Sequence, residues 1–228
     1  MALPQVLDVF LHVDKHLANL IAQYGTSTYA ILTVIVFCET GLVFLPFLPG
    51  DSLLFAAGAF CARGSLNVGL VFVLLTVAAI LGDSVNYALG TYLGPKLHAK
   101  GRLPFVKKKH LDKTQAFYEK YGAKTLVLAR FVPIVRTFAP FVAGVGSMNY
   151  GKFMRYNVTG AVAWAAICVF AGYFFGNLEF VQKRFELVIL AIIFLSVLPM
   201  IIGFIGERRK SRLQAEAEAA AAKPTTAT

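Results

Sequence analysis

Four charged residues stand in surroundings apolar enough to lie inside a bilayer. Glu39 and Asp51 fall within FCETGLVFLPFLPGDSLLFAAG (37–58), and Arg130 and Arg136 within ARFVPIVRTFAPFVAG (129–144). A charge near the bilayer centre costs roughly 2.5 to 3.5 kcal/mol on insertion scales, so two arginines in one such stretch require partners or water. Arginine keeps its charge and presents a planar fork of donors that matches phosphate oxygens, so Arg130 and Arg136 are suited to gripping a lipid phosphate at low dielectric. Glu39 and Asp51 are suited to taking up and releasing a proton, which coupling to a proton gradient requires. The plainer reading is that acids and arginines neutralise one another as structural pairs. Both readings hold if a pair closes without substrate and opens with it.

The backbone around these charges is also unusual. Pro46, Pro49 and Gly50 follow Glu39, while Pro133 and Pro140 bracket Arg136. Proline lacks the N–H that a spanning helix uses, and broken backbone at membrane depth survives only where protein or a water-filled cavity covers it. Each stretch is therefore expected to form a broken or re-entrant element lining a polar site, with Pro49, Gly50, Pro133, Pro140 and Gly144 as supporting residues. A third group, Gly82, Asp83, Asn86, Tyr87 and Gly90, has three- and four-residue spacing that puts it on one helix face, with Asp83 and Asn86 as further supporting residues.

The elements that must position these residues follow from composition. With 228 residues, 57% of them hydrophobic and 15% charged, and a mean hydropathy of +0.67, the chain reads as an all-α integral membrane protein. One membrane domain is expected over residues 1–210. It comprises a re-entrant hairpin at 26–62, a span at 66–93, a basic linker with an amphipathic helix at 94–124, a second hairpin at 125–148, and spans at 153–175 and 185–205. The Ala- and Glu-rich tail, 211–228, is expected to be disordered. Residues 3–24 alternate apolar and polar positions at helical spacing and predict an amphipathic interfacial helix. The stretch from Met1 to Leu11 has no Lys or Arg and is broken by Asp8, which does not read as a cleaved signal.

The formal charge of +10 is concentrated in two places. Nine basic residues fall between Gly94 and Lys124, among them Lys107, Lys108 and Lys109, and Arg208, Arg209, Lys210 and Arg212 follow the last apolar run. The positive-inside rule makes both regions cytoplasmic, and the lysine cluster could also attract anionic headgroups. If Gly94 is cytoplasmic, the first hairpin dips from the outer face and the second from the inner face. The second, 125–148, gives two arms of about twelve residues, or about 18 Å each, which reach the middle of a roughly 30 Å core. The stretch 26–45 could alternatively span fully, which leaves the side of the N-terminus open.

A weak internal repeat fits this arrangement. Asp14-Lys15 leads to Tyr24-Gly25 and a broken charged stretch, and Asp112-Lys113 leads to Tyr121-Gly122 and the same order of elements. Glu39 lies fourteen residues after Gly25, and Arg136 fourteen after Gly122.

Other chemistries find less support. Cys38, Cys61 and Cys168 have no metal-ligand spacing and read as packing residues. His12, His16, His98 and His110 all fall in interfacial or linker segments, and no HExxH or nucleophile–base arrangement occurs, which disfavours an intramembrane phosphatase or protease. No enzyme activity, metal, cofactor or nucleic-acid partner is expected. A proton-dependent small-solute or cation antiporter supporting membrane homeostasis fits the acids. A purely structural membrane protein leaves four deep charges unexplained.

The stretches ETG…PFLPGDSLLF…AG and ARFVPIVRTFAPFVAG, with GDSVNYALG between them and a YG-led segment before each, resemble the DedA family of bacterial inner-membrane proteins over residues 10–205. The family belongs to the VTT/SNARE-associated superfamily. The resemblance implies two oppositely oriented re-entrant hairpins, kinship with eukaryotic autophagy-related lipid scramblases, and a flippase role that returns undecaprenyl phosphate across the inner membrane, tied to the proton gradient. It places the family's essential acids on Glu39 and Asp51 and its essential arginines on Arg130 and Arg136. The partners it implies are membrane lipids and a polyprenyl phosphate. Cargo, proton stoichiometry, direction of transport and association with further copies of the chain stay open.

Overall fold

The computed structural model describes residues 13–42, 50–100 and 122–185, together with 187, 188, 190–192 and 194. All the regular elements among them are helical. In chain order they are α1 (Val13–Tyr24), a 3-10 turn (Gly25–Ser27), α2 (Thr28–Gly41), α3 (Gly50–Ala62), α4 (Val68–Lys100), a second 3-10 turn (Gly122–Lys124), α5 (Thr125–Ala129), α6 (Pro133–Val145), α7 (Tyr150–Phe175) and α8 (Glu179–Lys183).

Three stretches are long and apolar enough to cross a membrane: Lys15–Gly41, Val68–Gly94 and Tyr150–Phe175. The latter two overlap the expected spans at 66–93 and 153–175. The first falls where the sequence left open a full span or one arm of a hairpin. Most of the expected span at 185–205 lies outside the described residues, as do Pro46, Pro49, residues 101–121 and the tail.

The long helices have lipid-type outer faces and packed inner faces. On α4, Leu70, Val73, Val77, Leu81 and Val85 are exposed at three- and four-residue spacing, whereas Val71, Leu75, Ala78, Ala79, Asp83 and Asn86 are buried. On α7 the exposed set is Val158, Val162, Ile167 and Phe174, and the buried set Phe153, Asn157, Ala161, Trp164, Ala165 and Val169. Lipid tails solvate leucine as well as another helix does, so close packing and hydrogen bonding, not water exclusion, select the inner faces. Both helices begin on asparagine caps: Asn67 Oδ1 accepts the Leu70 N–H at 3.0 Å, and Asn149 Oδ1 the Lys152 N–H at 3.2 Å.

Glycines set how closely the helices cross. A Cβ on Gly58 or Gly172 would overlap a backbone carbonyl at the α3–α7 crossing, that of Val169 or Phe55 respectively. A Cβ on Gly90 or Gly144 would do the same at the α4–α6 crossing, against Phe141 or Tyr87. The two contacts are reciprocal: the helix after each chain break packs on the long helix of the other half. The helices before the breaks pack within their own halves, α2 on α4 and α5 on α7.

The two halves also open alike. Gly25 and Gly122 have φ of +52° and +58°, a region that admits glycine without a Cβ penalty, and each starts a 3-10 turn leading into a helix.

The second break differs from expectation in two respects. Its arms are unequal, because Pro133 excludes helical backbone at the preceding residue: Val132 is extended, with φ −124° and ψ 103°. α6 then starts on Pro133, where a missing N–H costs nothing, so the break falls at Phe131–Val132 instead of midway. Pro140 causes no break. It is buried within a continuous α6, where it lacks only the N–H that would have faced the Arg136 carbonyl. The helix expected to end near Leu93 continues to Lys100.

Candidate functional site

The deep charges form two clusters. In the first, Arg136 on α6 binds Glu39 near the end of α2 and Asp51 in the first turn of α3, the latter through Nη1 at 2.8 Å. In the second, Arg130, the residue that ends α5, binds Asp83 of α4 and donates Nη2 to Asn157 Oδ1 of α7 at 2.7 Å. Every element at the centre of the bundle therefore supplies a polar group. Glu39 and Arg136, each fourteen residues past its glycine, meet directly.

Amides fasten these clusters to the backbone. Asn86 donates to the carbonyls of Thr40 at 3.2 Å and Thr137 at 2.8 Å, joining the end of α2 to α6 through α4. Asn157 donates to the Ile80 carbonyl at 3.1 Å, holding α7 to α4 beside Asp83. Gly50 leaves room for Glu39: a Cβ there would overlap its carboxylate. Gly144 lets α6 reach α4, as described above.

Trp164 links the clusters. Its indole N–H donates to Asp51 Oδ1 at 2.7 Å, and the guanidinium carbons of Arg130 and Arg136 lie 5.8 and 5.3 Å from its ring centroid. Both distances fall within the reach of cation–π attraction, which strengthens where the groups are desolvated.

The two arginines differ in access. Arg130 is 3% exposed and its partner Asp83 9%, whereas Arg136 is 14% and Asp51 24% exposed. The Arg136–Asp51 pair is thus the more accessible of the two. Several buried polar atoms have no hydrogen-bond partner among the described residues: Glu39 Oε2, Ser52 Oγ, Asn86 Oδ1 and Arg130 Nε. Low dielectric makes such atoms costly unless water or a ligand serves them. No group of His, Cys, Asp and Glu among the described residues has the geometry to hold a metal ion, and Cys38, Cys61 and Cys168 are free thiols.

Of the residues singled out in the sequence, Glu39, Asp51 and Arg136 converge, and Arg130 joins Asp83 instead of the first two acids. Pro49 lies outside the described residues. Asn157 and Trp164 were missed because 153–175 reads as an ordinary span. Their signal was present: Asn157, Gly160, Ala161 and Trp164 share a helix face, as do Gly82, Asp83, Asn86 and Gly90.

Apolar outer faces and charges gathered inward define a polytopic helical membrane protein with a polar interior. Comparison with known proteins narrows this. A VTT domain matches residues 48–174. Protein DedA of Escherichia coli K12 is 53% identical over 206 residues, 90% of this chain and 94% of that protein. An uncharacterized membrane protein of Mycobacterium tuberculosis H37Rv is 42% identical over 89% of this chain and 87% of its own length. Inner membrane protein YqjA of E. coli K12 is 32% identical over 78% and 81% respectively. The chain belongs to the DedA family of VTT-domain membrane proteins. No solved structure matches it.

Proposed function

We propose that the chain is a proton-coupled flippase for a lipid phosphate, with undecaprenyl phosphate returned across the bacterial inner membrane as the cargo. The observation that carries this reading is the pair of buried arginines on one indole, each held by acids that an incoming phosphate can replace. Arg136 is the entry contact, being more accessible, and Arg130 with its unpartnered Nε is the inner one. As phosphate takes the guanidiniums, Glu39 and Asp51 lose their countercharge, and protonation relieves the uncompensated carboxylates. Cargo loading and proton uptake are then one event. The protein moves its cargo without making or breaking a bond in it.

The proposal includes two hairpins, α2–α3 and α5–α6, dipping from opposite faces, with the C-terminus cytoplasmic. Matching glycine turns and reciprocal crossings support it, since inverted halves around a central site are a common transporter plan. Single cysteines at Arg63 and Lys152, in a chain lacking the native cysteines, are expected to label from opposite sides of the membrane. Labelling from one side would refute the inverted arrangement.

One observation favours a second reading. Among the described residues, three carboxylates, Glu39, Asp51 and Asp83, gather around two guanidiniums, an acid-rich cluster that suits a proton or another cation. A cation antiporter needs the arginines only as countercharge, for which lysine suffices. A phosphate carrier needs the two-point fork, a charge-assisted contact of about 1.5 to 3 kcal/mol that lysine degrades. Binding of a polyprenyl phosphate is therefore expected to fall about tenfold or more in Arg130→Lys and Arg136→Lys, with transfer between vesicle leaflets falling alongside. Wild-type binding by both lysine variants would transfer support to the antiporter.

A further inference from the structure

We infer that Trp164 is a positioning residue for the arginine pair: its ring aligns both guanidiniums, and its N–H retains Asp51 when a phosphate takes Arg136. This deepens the lipid-phosphate reading and rests on it.

Trp164 is the chain's single tryptophan, 1% exposed, midway along α7. A buried indole N–H needs an acceptor, and here it shares one: Asp51 Oδ1 receives both Trp164 Nε1 at 2.7 Å and Arg136 Nη1 at 2.8 Å. The two donors divide one carboxylate oxygen. When an anion draws Arg136 away, the indole keeps that oxygen hydrogen-bonded, so the carboxylate does not follow the guanidinium and compete for it. Phenylalanine at 164 would keep an aromatic face for both arginines but remove the donor. Asp51 would then bind Arg136 harder, and the anion would bind less well.

The competition depends on the charge of Asp51, which gives the role a signature in a double variant. The charged and titratable groups around the indole are Asp51 on α3, Arg136 on α6, Arg130 at the end of α5, Glu39 on α2, Asp83 on α4, and the Cys168 thiol one turn along α7. Removing that charge with Asp51→Asn ends the competition for Arg136, so the phenylalanine defect shrinks in that background. A residue that merely filled space would produce a defect indifferent to the charge at position 51.

The test uses the full chain in nanodiscs and farnesyl phosphate as probe. Equilibrium binding is measured for wild type, Asp51→Asn, Trp164→Phe and the double variant Trp164→Phe/Asp51→Asn. The expected result is about tenfold weaker binding by Trp164→Phe than by wild type, and a double variant within about twofold of Asp51→Asn. Equal binding by Trp164→Phe and wild type, or a double variant far weaker than Asp51→Asn, overturns the inference. If the wild type itself fails to bind the probe, the lipid-phosphate reading falls, and the emission of Trp164 in the ligand-free protein tests the contact separately. That emission is expected to differ between wild type and Asp51→Asn, where the indole faces an amide instead of a carboxylate; identical emission in both overturns the inference. The emission measurement needs no substitution at 164, so it also decides the matter if Trp164→Phe does not fold.

Discussion

Arg136→Ala is expected to destabilise the protein by about 3 to 5 kcal/mol, because it leaves two carboxylates, one of them fully enclosed, without their shared countercharge. The loss is read as a lowered unfolding midpoint in detergent, followed through the single tryptophan. Much of it is uncompensated charge rather than missing packing, so neutralising the acids restores stability. Arg136→Ala combined with Glu39→Ala is expected to recover most of the loss. A double variant no more stable than Arg136→Ala alone would show that the arginine acts through its packing.

Asp83→Ala is expected to have an effect of the same size, about 3 to 5 kcal/mol, since Arg130 is enclosed and loses its salt-bridge partner. Asp83→Asn should cost less, because the amide oxygen still accepts from the guanidinium. Asp51→Ala should also cost less than Asp83→Ala: Asp51 lies at the more open end of the site, and Glu39 remains on Arg136. Unfolding of these three variants, measured side by side, checks the order. Equal losses would mean that burial does not distinguish the clusters.

Much of the site was legible because charge in an apolar stretch is conspicuous on physical grounds alone. Glu39, Asp51, Arg130 and Arg136 stood out for the cost of burying them, and the order of broken and continuous stretches outlined the helices. Which acid meets which arginine was not legible. That depends on α3 crossing α7 and α6 crossing α4, contacts set by glycines far apart in the chain. Pro140 was misleading, because a proline removes one N–H and bends a helix without having to end it. Trp164 and Asn157 stayed hidden among apolar neighbours, where a single polar group looks unremarkable until its face is compared with that of α4.

The distance in sequence between the acids and their arginine bears on how the protein is made. Glu39 and Asp51 precede Arg136 by 97 and 85 residues. At about 5 to 20 residues per second, a ribosome completes both acids roughly 4 to 20 seconds before the arginine exists. Helices form in microseconds, so α2 and α3 are folded long before their countercharge arrives. During that interval the acids must enter protonated or wait beside the insertion machinery in contact with water. A nascent chain released before Arg136 carries both acids with no arginine at 136 to meet them, so the first cluster cannot close until α6 is made.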